Sequence, residues 1–137
     1  MLVSELQNTR ETLMLTMLDQ PSATERLKAV NLTEQLTSPD DMVIKALLAT
    51  LNNDENVNVR LAAIDALFRY SNRPEVRKGL IEAIPHQNSP LILVTLSKAM
   101  VVLQEKESIE SLKQLLNNEQ LDKTAKKQIT ENIQKLI

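Results

Sequence analysis

Apolar side chains return along this chain at steps of three and four residues, and short polar stretches rich in Pro, Ser, Asn and Asp interrupt them repeatedly. Ala63, Leu67 and Tyr70 form one such run. This spacing lays an apolar stripe along one side of an α-helix and leaves the other side polar. Start signals stand ahead of the runs. Ser22-Ala23-Thr24-Glu25 after Pro21 reads as a capping box, and Ser38-Pro39-Asp40-Asp41 places proline at the first helical position with acids in the first turn. Pro74-Glu75 and Ser89-Pro90 repeat the proline device. The pattern predicts eight helices, over residues 2–19, 22–37, 39–52, 55–71, 74–85, 89–104, 107–117 and 121–136.

The stripes themselves recur. In the first helix of each pair Met14, Leu47, Leu80 and Leu112 lie 33, 33 and 32 residues apart, and Leu18, Leu51, Ile84 and Leu116 repeat those steps one turn later. In the second helices Ala29, Ala63, Leu96 and Ile129 are spaced 34, 33 and 33, as are Leu36, Tyr70, Leu103 and Leu136. A fixed period of this size marks a repeat architecture, in which a helical pair buries its stripe only by stacking on its neighbours. The expectation is one all-α domain over 1–137, an α-α superhelix of four pairs at about 2–37, 39–71, 74–104 and 107–136.

The stretch "LLATLNNDENVNVRLAAIDALFRY" (47–70) resembles a HEAT repeat of the bacterial kind related to phycobilin lyase subunits. The resemblance implies a right-handed armadillo-like solenoid. In HEAT families an aspartate between the two helices and an arginine six residues later stack between repeats, and Asp54 and Arg60 match that spacing. The next repeat has Gln87 and Leu93 at these positions, and in the last only Lys126 keeps a positive charge, so the implied ladder is incomplete. On this reading Arg60 is a structural bolt, satisfied by Asp54 and the carbonyls of a neighbouring turn. Residues 20–37 and 56–103 also resemble the region of bacterial membrane proteins that follows an anti-sigma-type zinc finger and one membrane helix. That resemblance implies the soluble part of a membrane-associated regulator, extracytoplasmic if a membrane helix precedes it; otherwise a cytoplasmic location is the default.

Composition narrows the chemistry. Gly79 is the only glycine among 137 residues, and it lies within a predicted helix, so there is no phosphate loop and no glycine elbow for a serine nucleophile. The absence of cysteine removes thiolate catalysis, zinc-thiolate sites and disulfides. A net charge of −2 gives no overall attraction to nucleic acid or anionic lipid. The apolar runs "LILV" (91–94) and "AMVVL" (99–103) are far too short to span a bilayer, so no membrane insertion by this chain is expected. His86, the only histidine, follows Pro85 in a turn and is followed by Gln87, whereas HEAT-like hydroxylases bind iron through His-Glu pairs. The acidic clusters at 39–41, 53–55 and 105–107 fall where helix N-termini favour negative charge. Lys113, Lys123, Lys126, Lys127 and Lys135 are interleaved with Glu110, Glu119, Asp122 and Glu131 and lack aromatic neighbours, which reads as a polar end-cap rather than a nucleic-acid surface. No enzyme and no cofactor or metal site is expected.

What remains is a surface. Rows of the second helices displaced from the core rows read Asn31, Asp65, Lys98, Glu131 and Gln35, Arg69, Val102, Lys135. They carry both signs of charge, hydrogen-bonding groups and one apolar side chain. Asp65, Arg69, Lys98, Val102, Glu131 and Lys135 are the candidate partner-binding residues, with Asp54 and Arg60 as the structural ladder. The function expected is a non-catalytic scaffold that binds another protein or peptide. Two other classes stand as alternatives: an accessory or chaperone subunit of a lyase-like enzyme, and a nucleic-acid-binding module.

Overall fold

A computed structural model describes residues 2–137. Among them eight α-helices occur and no strand: α1 (Leu2–Leu18), α2 (Ala23–Asn31), α3 (Asp41–Asn53), α4 (Val57–Arg69), α5 (Pro74–Ala83), α6 (Pro90–Leu103), α7 (Ile109–Leu115) and α8 (Lys123–Leu136). The fold class is the all-α one that the helical period predicts.

Most start signals sit where a helix begins. Ser22 caps α2 by accepting from the Glu25 amide, Ser89 caps α6 by accepting from Ile92, and Asp122 caps α8 by accepting from Ala125. Pro74 and Pro90 occupy the first turns of α5 and α6, where a missing N–H costs nothing. Pro39 departs from the expectation. Asp40 takes the cap position, its Oδ1 accepting from the Met42 amide at 2.9 Å while its own N–H donates to Glu11 Oε1 at 3.2 Å. The proline is left outside the helix.

Helix ends differ from the sequence reading more than helix starts do. With glycine nearly absent, the usual left-handed stop is scarce, and two helices, α2 and α5, tighten into a 3-10 turn instead. The span expected as one helix over 22–37 is α2 followed by a 3-10 segment at Leu32–Gln35, where Thr33 Oγ1 donates back to the Val30 carbonyl at 2.7 Å. The helix expected over 74–85 yields to a 3-10 segment at Ile84–His86, because Pro85 has no N–H to continue the ladder. There the Gln87 side chain donates to the Ala83 carbonyl at 3.1 Å in place of a backbone amide. α7 likewise is preceded by a 3-10 turn at Lys106–Ser108 rather than starting at 107. Only α6 ends on a left-handed residue, Gln104 at φ 53°, whose amide donates to the Val101 carbonyl while Glu105 donates to Met100 at 2.9 Å.

The chain divides into two compact units at Arg69 and Tyr70. In the first, α1 packs on α2, α3 on α4, and the second helices α2 and α4 lie against each other. Its core holds Met14, Ala29, Val43, Leu47, Leu51, Ala63 and Leu67, all sealed from solvent. In the second, α6 and α7 both pack on α8, around Leu80, Ile84, Ile92, Leu96, Met100, Leu112 and Ile129. Each fully buried large aliphatic here contributes roughly 1.5–3 kcal/mol relative to exposure. The rows read from the period are these residues. Departures fall at Leu18, Leu103 and Leu116, which are only half-buried.

Buried polar side chains that the sequence reading does not single out tie helices together in each unit. In the first unit the carboxylate of Glu11, 7% exposed, accepts from Gln7 Nε2 as well as from the Asp40 amide, and so fixes the start of α3 against α1. In the second unit Asn132 Nδ2 donates to Ser97 Oγ at 2.8 Å, and the Ser97 hydroxyl in turn donates to the Val94 carbonyl at 2.8 Å. This chain of bonds joins α8 to α6.

Candidate functional site

A network of charged residues is built around the turn between α3 and α4. Asn56 starts α4, its side chain accepting from the Asn58 and Val59 amides at 2.9 and 3.2 Å, and its own N–H donates to Asp54 Oδ1 at 2.9 Å. Asp54 is thereby aimed away from α4 and back at α2. Arg26 on α2 meets it with a fork of two bonds, Nε to Oδ2 at 2.8 Å and Nη2 to Oδ1 at 3.2 Å. Arg26 also donates to the Gln20 and Pro21 carbonyls at 3.1 and 2.8 Å, closing the end of α1 onto the same rung. Burial disfavours the ionised form of Asp54. The hydrogen bonds from Arg26 and the Asn56 amide, with the positive charges of Arg26 and Arg60, outweigh it and hold the carboxyl below its usual 3.8. Arg26 is raised by the same hydrogen bond.

The residue spaced for the ladder, Arg60, is 7% exposed and donates through Nε to the Leu51 carbonyl at 3.1 Å, the end of α3. Its charge acts on Asp54, while the two-bonded partner is Arg26. Arg26 was missed in the sequence. A signal was available, since it stands 34 residues before Arg60 and so shares its repeat position.

The surface rows are placed as follows. On the first unit Asn31, Gln35, Asp65 and Arg69 are all exposed, and Arg69 is tied along the surface to its neighbours. Its guanidinium donates to Thr33 Oγ1 at 3.3 Å and reaches Glu34 at 3.2 Å and Asp65 at 3.5 Å, tying α4 to the 3-10 segment after α2. On the second unit Lys98, Glu131 and Lys135 are exposed, as is Val102 at 68%. The spacing brings Lys98 and Val102 onto successive turns of α6 and Glu131 and Lys135 onto successive turns of α8.

Between the N-terminal halves of α6 and α8 lies an open groove of about 350 Å³. Pro90, Leu91, Val94 and Ala125 supply its apolar floor and wall; Thr95, Lys98, Asp122, Thr124 and Gln128 form a polar rim. Leu91 is 55% exposed there. Of these residues the surface rows contained only Lys98. A second open groove, on the first unit, runs between α1 and α3 over Leu15, Leu18, Met42, Ala46 and Ala49, with Asp19 and Asp54 at its polar end.

The remaining candidates scatter. His86 is exposed in its 3-10 turn. Asp40 caps α3, whereas Asp54 and Glu105, from the other two acidic clusters, are ion-paired, Glu105 with Arg77 Nε at 3.1 Å. Among the described residues no three His, Cys, Asp or Glu side chains are grouped closely enough to hold a metal ion, and no helix is long and apolar enough to cross a membrane. Lys123, Lys127, Gln134 and Lys135 are exposed on α8 and Lys126 is half-buried.

Among curated proteins none matches this chain. A family model for HEAT repeats matches residues 44–134, about two thirds of the chain, from the first turn of α3 through to α8. Paired helices, aliphatic rows at a constant step and an aspartate–arginine rung agree with that match, and the chain belongs to the HEAT-repeat family.

Proposed function

We propose that this chain is a non-catalytic interaction module that takes a peptide segment of another protein into the groove between α6 and α8. HEAT repeats commonly mediate protein–protein interaction, which supplies the class of partner. The observation that carries the proposal is the groove itself. It combines an apolar floor at Leu91, Val94 and Ala125 with one cation, Lys98, and hydrogen-bonding rim groups, all on rigid helices. Such a lining suits a short segment with a small apolar anchor and an acidic residue next to it. Val102 prolongs the apolar strip one turn past Lys98, and Glu131 and Lys135 offer both signs of charge along α8, which favours specificity over raw affinity. The resemblance of residues 20–37 and 56–103 to the region following an anti-sigma-type zinc finger and membrane helix supports a place in a regulatory assembly.

Selection of a displayed random-peptide library on the whole chain tests this. Recovered peptides should share an apolar–acidic motif, and Lys98→Glu or Leu91→Ser should each weaken their binding at least about tenfold, or roughly 1.4 kcal/mol. Both positions are exposed, so melting should be unchanged. Peptides bound equally well by the wild type and both variants would place binding elsewhere.

A further inference from the structure

The first helix presents one side to its own unit and an apolar stripe to solvent. Gln7, Glu11, Met14 and Leu18 follow one another at helical steps and face α2 and α3, with Glu11 and Met14 buried. On the opposite side Leu2, Leu6, Thr9, Leu13 and Thr16 are spaced by four, three, four and three residues, and all five are exposed: Leu2 at 80%, Leu6 at 50% and Leu13 at 51%. The contrast with α8 is plain, for that helix turns Lys127, Glu131, Gln134 and Lys135 outward. The two threonines of the outer stripe do not resist desolvation. Thr9 Oγ1 donates to the Glu5 carbonyl at 3.0 Å and Thr16 Oγ1 to the Thr12 carbonyl at 2.9 Å, so both hydroxyls are satisfied within the helix.

A stripe with alternating steps of four and three is the seam of a two-stranded coiled coil, with Leu6 and Leu13 at one seam position and Leu2, Thr9 and Thr16 at the other. The flanks carry Glu5 on one edge and Arg10 on the other. In a parallel pair of identical helices these edges face each other five residues apart, so Glu5 of each copy meets Arg10 of the other. In an antiparallel pair each edge faces itself and Arg10 meets Arg10. Arg10 uses one N–H on the Gln35 carbonyl at 3.4 Å, and its fork retains further donors. A lipid surface fits poorly, because Arg10 is the only cation on α1 beside Glu5 and Glu11. We infer that the outer stripe of α1, Leu2-Leu6-Thr9-Leu13-Thr16, is a self-association surface on which a second copy of this chain docks its own α1 in parallel, with Glu5 and Arg10 paired across the seam.

Sedimentation equilibrium of the whole chain up to about 1 mM, which detects even millimolar association, provides the test. Mass should rise toward two chains with concentration. Leu6→Glu with Leu13→Glu should abolish the rise while leaving helicity and melting as they were, since both side chains are half-exposed in the single chain. Glu5→Arg alone and Arg10→Glu alone should each weaken association, and the two together should restore it. Because the chain has no cysteine, the Leu6→Cys variant should oxidise to a covalent dimer, as Leu6 faces Leu6 only in the parallel pair. A chain that stays monomeric throughout overturns the inference, and its α1 face then belongs to a different partner or to none. A dimer indifferent to the Leu6 and Leu13 changes, or one that the double charge reversal fails to restore, overturns it equally.

Discussion

Arg26 and Asp54 act at the scale of single residues, yet the rung they form joins two helical pairs. Asp54 has its folded-state pKa lowered, so its contribution is fully present above the unfolded value of 3.8 and fades as pH falls through the lower folded value. Acid titration of the melting temperature should therefore show a drop below about pH 4 that is smaller in Asp54→Asn and in Arg26→Met. An unaltered acid limb in both variants would remove the rung from the account of stability. The Ser97–Asn132 bond makes a second prediction. Ser97→Ala strands a buried amide and should cost about 1–3 kcal/mol, whereas Ser97→Ala with Asn132→Leu should cost less than the sum of the two single changes. Denaturant melts of the three variants would measure this. Neither rung nor bond was visible at once in the sequence, for different reasons. Arg26 sat at a repeat position and needed only the period carried one unit back. Ser97 and Asn132 sit at unrelated repeat positions, and nothing in a one-dimensional pattern brings them together.

At the scale of elements, eight helices were legible because each carries its apolar stripe and most carry a cap residue. Their ends were not, because the stop is made by backbone bonding that many residue types can support. Gln104 shows the cost of a glycine-poor chain. It sits in the left-handed region, where a side chain is disfavoured by about 1–2 kcal/mol, and Gln104→Gly should stabilise the protein by up to about 1 kcal/mol once the extra freedom of the unfolded glycine is counted. Destabilisation instead would mean that the bond from Gln104 Nε2 to the Val101 carbonyl at 2.8 Å outweighs the strain. Leu67, sealed within α4, tests the stripes themselves: Leu67→Ala should lower stability by about 2–5 kcal/mol, and a melting shift near zero would contradict its place in the core. The surface was only partly legible at this scale. Lys98 was found by its displaced row, but the floor it overlooks, at Leu91 and Val94, stands in the sequence only as part of a short apolar run.

For the whole molecule, the repeat step of about 33 residues predicted stacked helical pairs and the stretch 47–70 carried the family resemblance, and a HEAT-repeat family model matches residues 44–134. Repeat proteins are often trimmed or lengthened one hairpin at a time on the assumption that each hairpin is self-contained. The rung between α2 and α4 argues against that freedom here. A chain begun after α2 would keep Asp54 half-sheltered at its new end with its strongest counter-charge gone, and the desolvation that Arg26 had overcome would act on it with less opposition. Such a shortened protein should tolerate acid better than neutral solution relative to its parent, the reverse of what deleting an exposed hairpin would do. The first hairpin lends its successor a charge, and a cut between α2 and α3 divides a bonded pair rather than two self-contained hairpins.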